Sequence, residues 1–218
     1  MSSLKDEIKE LYKSMGGRAK ALKQVQRWFD SGMAQLKSKD TTLDTERKPF
    51  KPGMIYVFKY EKPKHMEKLP WWDKNPVVLA LNPTDQKNDI GINLNLLPSN
   101  IRIELLDAIY TQMKPFIELQ KKGKTAYKAK LQGPLPNFTY ESTKKFLEKF
   151  GYDFAIRQYV PNLKNNQRVV AYEKWSYVAI CSLINVESND SSIVINENIL
   201  KKMFDEHNKN KIKKRSEK

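Results

Sequence analysis

The chain has 218 residues, 39% of them hydrophobic, with a formal net charge of +15 and a single cysteine. Nine Phe, ten Tyr and four Trp are enough to anchor a core in one domain carrying appended helices, which excludes disorder throughout. Cys181 alone cannot make an intramolecular disulfide, and no stretch approaches the roughly 18 apolar residues of a membrane span. Acidic residues stand where a signal peptide needs an apolar run, so the chain is expected to be neither secreted by a cleaved leader nor membrane-spanning.

The first forty residues read as two helices. Leu4, Ile8, Leu11, Tyr12 and Met15 recur at helical spacing, and Ser3 with Asp6 three residues on makes a short capping box. Gly16-Gly17 interrupts the pattern. A second amphipathic segment follows, with Leu22, Val25, Trp28 or Phe29, Met33 and Leu36 as its apolar stripe and Arg18, Lys20, Lys23 and Arg27 mainly off it. Such a pair can pack on its own domain, on a neighbouring subunit or on DNA. Residues 37–52, polar with two prolines, read as a linker.

From Met54 the period becomes that of strands. MIYVFKY, rich in aromatic and β-branched residues, predicts one strand, and PVVLALN, opened by Pro76, predicts a buried second. NPTDQKND, which holds Asp85 and Asp89, has turn composition. IGINLNLLP predicts a third strand with Ile92, Leu94 and Leu96 on one face and Asn93 and Asn95 on the other, as in a half-buried sheet. Ser99 or Asn100 can cap the next helix, in which Ile101, Leu105, Ala108 and Ile109 keep helical spacing and Pro115 bends or stops it. Tyr140–Phe150 reads as a helix ended by Gly151. FAIRQYVP, RVVAYEKWSYVAICSLINV and SSIVIN are expected to give two or three further strands, and residues 197–210 a polar helix leading into a basic tail.

The expected class is therefore α+β: a small, strongly bent antiparallel sheet, closable as an SH3-like barrel, with peripheral helices. The expected organisation is an N-terminal helical extension (1–40), a linker (41–52), an α+β core domain (53–200) and a basic C-terminal helix end and tail (201–218).

Positive charge gathers outside the strand-rich parts. Lys121, Lys122, Lys124, Lys128 and Lys130 surround Gly123, and Lys209, Lys211, Lys213, Lys214, Arg215 and Lys218 crowd the C-terminus. Runs of this kind neutralise phosphates and release counterions, giving a salt-dependent affinity for double-stranded DNA without sequence choice. A solvated surface that keeps the protein soluble is the other reading. Scarce arginine argues against bidentate reading of bases.

Signs of enzyme chemistry are weak, and no catalytic, cofactor-binding or metal residue is expected. His65 and His207 lack a second ligand at metal-site spacing. Glu104 and Asp107 lie one helical turn apart, as solvent-facing charges do more often than a nuclease metal pair. No phosphate-binding glycine loop is present, and Cys181 has no evident base.

Five pieces in order carry a family resemblance: G-x-I-Y-x-F-x-Y from Gly53, LPWWDKNPVV, GINLNLLP, the R-x-x-LLDAIY helix from Arg102, and AIRQYVP with a Trp-containing strand near EKWSYVAI. Together they cover about residues 53–110 and 155–180, and the chain resembles the DNA end protector family of contractile-tailed, T-even-like bacteriophages. Leu96 stands where that family has a histidine-like position, and the N-terminal helices and residues 120–136 lie outside the likeness. The resemblance implies a non-enzymatic virion protein that is made in the bacterial host cytoplasm, binds the termini of the packaged genome and helps complete the filled head. Its partners would be the DNA backbone and other virion proteins in a symmetric assembly. Trp71 or Trp72, beside Lys68 and Lys74, could stack on the last base pair, or both could belong to the core. The alternative is a structural ring or wedge subunit of the phage neck, tail or baseplate that works through protein contacts.

Overall fold

In a computed structural model of the chain, residues 3–37, 49–61, 71–81, 89–121, 140–183, 186–188 and 197–216 are described. Their helices are α1 (Leu4–Ser14), α2 (Arg18–Lys37), α3 (Ser99–Lys121), α4 (Tyr140–Phe150), α5 (Trp175–Ile180) and α6 (Glu197–Ser216). The strands are β1 (Ile55–Tyr60), β2 (Trp71–Asp73), β3 (Val77–Ala80), β4 (Asp89–Asn93), β5 (Ile156–Tyr159), β6 (Lys164–Val169) and β7 (Val186–Ser188).

Five strands form one antiparallel sheet in the order β5-β4-β3-β1-β6, and β2 pairs with β7 in a separate ribbon. The edge strands β5 and β6 are consecutive in the chain, joined only by Val160 and the 3-10 turn Pro161–Leu163. Laid flat, five strands would hold those edges ~19 Å apart, which is more than the ~17 Å that five residues can span. The sheet must therefore curl. The amide of Val160 donates to the Tyr60 hydroxyl at 3.2 Å, and Lys164 of β6 pairs with Asp89 of β4, so strands at opposite sides of the sheet meet. The sheet is strongly bent, and among the described residues no ladder joins β5 to β6 to close it as an SH3-like barrel.

Alternation along the strands separates two cores. Tyr56, Phe58 and Tyr60 of β1 join Val78, Ala80, Tyr159 and Phe50 inside the curl, with Phe50 stacked on Tyr56 at 4.8 Å and Phe58 edge-on to Tyr159 at 5.3 Å. Ile55, Leu79 and Ile92 face the helices, where Leu4, Ile8, Val25, Phe29, Leu106, Ile109 and Trp175 complete the larger cluster. Of the three partners open to the N-terminal helices, the chain's own core is the one observed. Most of the expected linker lies outside the described residues, but Phe50 near its end is buried. Gly91 lets β4 approach β3: a Cβ there would lie 2.2 Å from the Val78 side chain and 2.8 Å from the Leu79 carbonyl.

The capping box forms as expected, with the Asp6 amide donating to Ser3 Oγ and the Ser3 amide to the Asp6 carboxylate. Gly151 ends α4 with φ +76°, its amide bonded to the Glu148 carbonyl and that of Tyr152 to the Leu147 carbonyl. Several expectations are corrected. The EKWSYVAI segment is a 3-10 turn followed by helix α5, because Trp175, Val178, Ala179 and Ile180 are buried on nearly every side and leave no polar face to reveal a helical period. IGINLNLLP is strand only to Asn93, then a 3-10 turn over Leu94–Leu96, and both Asn93 and Asn95 are buried rather than facing solvent. Helix α3 begins at Ser99, after Pro98, and runs past Pro115 to Lys121 without stopping. Asp89 is not in a turn: it opens β4 and is 7% exposed. SSIVIN lies outside the described residues.

Candidate nucleic-acid interface

The expected phosphate-gripping lysines divide into those that the structure describes and those that it does not. Lys122, Lys124, Lys128 and Lys130 lie outside the described residues. Lys121 ends α3, and Lys211, Lys214 and Arg215 belong to α6, while nothing is described of their side chains. Lys209 and Lys213 are exposed on α6.

Helix α6 has two faces. Met203 is buried, Phe204 lies 4.9 Å from the Tyr152 ring, and His207 Nε2 sits 3.0 Å from Asp153, so one face is clamped to the turn that follows α4. Gly151 makes that clamp possible, because a Cβ there would come within 2.8 Å of Phe204. At the 100° step of a helix, Lys202, Lys209 and Lys213 share the opposite face, all three exposed, flanked by Asp205 and Glu206. Lys202 was not singled out by sequence. It is legible only once the buried face is known. Lys20, Lys23 and Arg27 form a second exposed cationic face on α2, and Lys145 and Lys149 stand exposed one turn apart on α4.

A cavity of about 580 Å³ opens beside the start of α6, between it and the N-terminus of α3. Arg102 lines it and is only 4% exposed. Its Nη2 donates to the Cys181 carbonyl at 2.6 Å, while its Nε has no acceptor among the described residues. Among the described residues no carboxylate pairs with it. Burial pulls its pKa down to about 10. Sequence reasoning missed this residue, although the signal was there: Arg102, Leu106, Ile109 and Met113 are spaced along one helix face, and the other three are buried. Cys181 is a buried free thiol, its pKa pushed up to about 12 chiefly by that burial.

The candidates for enzyme chemistry have structural roles. The Lys5 ammonium meets the Glu104 carboxylate at 2.7 Å, and the Lys5 amide donates to Asp107 at 3.1 Å, so this pair of acids docks α1 on α3. The Glu7 carboxylate accepts from the Tyr110 hydroxyl on the same interface. His207 is a half-buried docking residue, while His65 and Asp85 lie outside the described residues. Asp73 accepts from Asn95 at 2.7 Å, Asn93 at 2.9 Å and the Asn75 amide at 3.2 Å, tying β2 to the end of β4. Its carboxyl is nonetheless pushed up to about 7, because burial outweighs those donors. Trp71 and Trp72 form β2, but their side chains lie outside the described residues. Among those residues no group of three His, Cys, Asp or Glu side chains could hold a metal ion, and no helix is long and apolar enough to cross a membrane.

A family model described as phage T4 terminal DNA protecting protein matches residues 1–203. That match takes in the two N-terminal helices and residues 120–136, which the five sequence pieces did not reach, and stops inside α6, before Lys209 and Lys213. No curated protein and no solved structure matches the chain. The chain belongs to the phage T4 terminal DNA protecting protein family.

Proposed function

We propose that this phage virion protein guards genome ends by occlusion, without chemistry of its own. Exposed lysines on its helices grip phosphates near a DNA terminus, and the folded mass keeps an exonuclease from the last base pair. Phosphate contacts of this kind fix position and carry no sequence choice. The described faces are Lys202, Lys209 and Lys213 on α6 and Lys20, Lys23 and Arg27 on α2; Lys121, Lys122, Lys124, Lys128, Lys130, Lys211, Lys214 and Arg215 extend the same charge. Other virion proteins hold the molecule in a symmetric assembly as the filled head is completed, after synthesis in the host cytoplasm.

The observation that carries this reading is the family match over residues 1–203, supported by a net charge of +15. Gel shifts with linear and covalently closed circular duplexes of equal length, run across a salt series, test it. The linear form should bind at least tenfold more tightly, with affinity for both falling steeply as salt rises. Equal affinity for the two topologies would remove the end-specific claim.

A further inference from the structure

The cavity between the N-terminus of α3 and the start of α6 contains a cation that the fold does not explain. Removing a guanidinium from water is costly unless an anion or a full set of acceptors replaces the solvent. Arg102 is 4% exposed, donates to the Cys181 carbonyl, and finds no acceptor for its Nε among the described residues. It faces the cavity beside the first turn of α3, a helix of 23 residues with no acidic residue in that turn. The amides of such a turn have no intrahelical acceptor, and their aligned dipoles favour an anion. Pro98 precedes the turn and has no side chain to cap it. Lys201 stands exposed at the cavity rim, as does Asp205, so the rim charges cancel and Arg102 with the helix terminus sets the sign.

We propose that this cavity receives the terminal phosphate monoester of a DNA strand, anchored by Arg102 and the first turn of α3. The inference rests on the end-binding reading above and deepens it. A walled pocket of about 580 Å³ admits the end of a strand, whereas an internal phosphodiester has chain leaving on both sides. A terminal phosphate also carries nearly a second negative charge at neutral pH and three acceptor oxygens, which suit a planar donor fork and a helix terminus. The rings of Tyr152 and Phe204, 4.9 Å apart, line the same cavity and give the terminal sugar and base an apolar wall. Lys202, Lys209 and Lys213 continue from the mouth along α6. Lys202 and Lys213 are ~17 Å apart along the axis, so a duplex whose end sits in the pocket can lay several phosphates against them.

The test uses the full chain and linear duplexes that differ only in phosphate or hydroxyl at one strand end, prepared separately for 5′ and 3′ ends, with closed circles as the reference. A terminal phosphate at one of these ends should tighten binding about tenfold or more. Inorganic phosphate at millimolar concentration should compete away that preference and raise the thermal midpoint. Arg102→Met, which retains much of the apolar stem, should abolish both effects while still binding hydroxyl-ended duplex through the exposed lysines. The phosphate-against-hydroxyl comparison is made on the unaltered protein, so it stands even where the variant fails to fold. Equal affinity for phosphate and hydroxyl ends, with linear DNA still preferred to circles, overturns the pocket and leaves end binding intact. Loss of the preference for linear DNA overturns the reading beneath it. An Arg102-dependent thermal shift with inorganic phosphate but no preference among DNA ends assigns the cavity to free phosphate and also overturns the proposal.

Discussion

Replacing Lys202, Lys209 and Lys213 together by glutamine should weaken DNA binding by up to about two orders of magnitude at 0.1 M salt and flatten the salt dependence by up to about three in logarithmic slope. These three side chains share the exposed face of α6, opposite the Met203, Phe204 and His207 contacts that hold the helix to the core. Each phosphate that a lysine neutralises releases about 0.9 of a counterion, so three lost contacts appear as a change of slope as well as of affinity. Exposed Lys→Gln changes on a docked helix leave the fold nearly untouched, within about 0.5 kcal/mol. Titrations at four or more salt concentrations, with thermal unfolding run in parallel, check both halves of the expectation. Unchanged affinity and slope would place the DNA surface elsewhere, on α2 or around Gly123.

Asp89→Asn should be among the most destabilising single changes, costing about 3 kcal/mol and lowering the thermal midpoint by ~10 °C for a chain of this size. Asp89 accepts the Phe50 amide at 2.9 Å through one oxygen and pairs with Lys164 through the other. The Lys164 side chain is 0% exposed, and its ammonium lies 4.1 Å from the centre of the Phe50 ring. Asparagine keeps the acceptor for Phe50 but turns an NH2 donor toward the Lys164 ammonium, so the buried charge loses its carboxylate beneath the curl of the sheet. Burial already lowers the pKa of Lys164, and the Asp89 carboxylate opposes that shift. Without the carboxylate the folded-state value falls further below the ordinary 10.5, so the unfolded chain binds more protons and stability rises with pH. The deficit should therefore shrink as pH rises toward 10.5, and adding Lys164→Met should recover most of it at neutral pH. A double variant no more stable than Asp89→Asn alone would show that the stranded charge is not the cause.

The sequence made the helices legible wherever one face was apolar and one polar. Ser3 and Asp6 marked the start of α1, and Gly151 marked the end of α4, because caps are local chemistry. The strands of β1 and β3 were legible for a similar reason, being short aromatic or β-branched runs bounded by Gly53 and Pro76. Segments buried on all sides hid their period: WSYVAI reads as a strand because nothing polar interrupts it, yet it is α5. Asn93 and Asn95 looked solvent-facing because their side chains are polar, but Asp73 supplies the acceptor that lets them be buried. The same blindness covered Asp89 and Lys164, which lie 75 residues apart and meet only because the sheet curls. The Lys-rich stretches were visible as composition, while the cationic face of α6 needed the docked side of the helix to define it. Arg102 is the sharpest case, a charge placed in an apolar stripe and noticed only as the first residue of a family motif.

Occlusion requires the protein to shield a DNA terminus by sitting on it. Its most direct test is digestion of a linear duplex that carries one internal nick, with an exonuclease able to start from either place, in the presence of increasing protein. Shielding of the terminus predicts that resection from the two ends stops as they fill while resection from the nick continues at its original rate. Equal slowing at the nick and the ends, or no slowing at either, would contradict it.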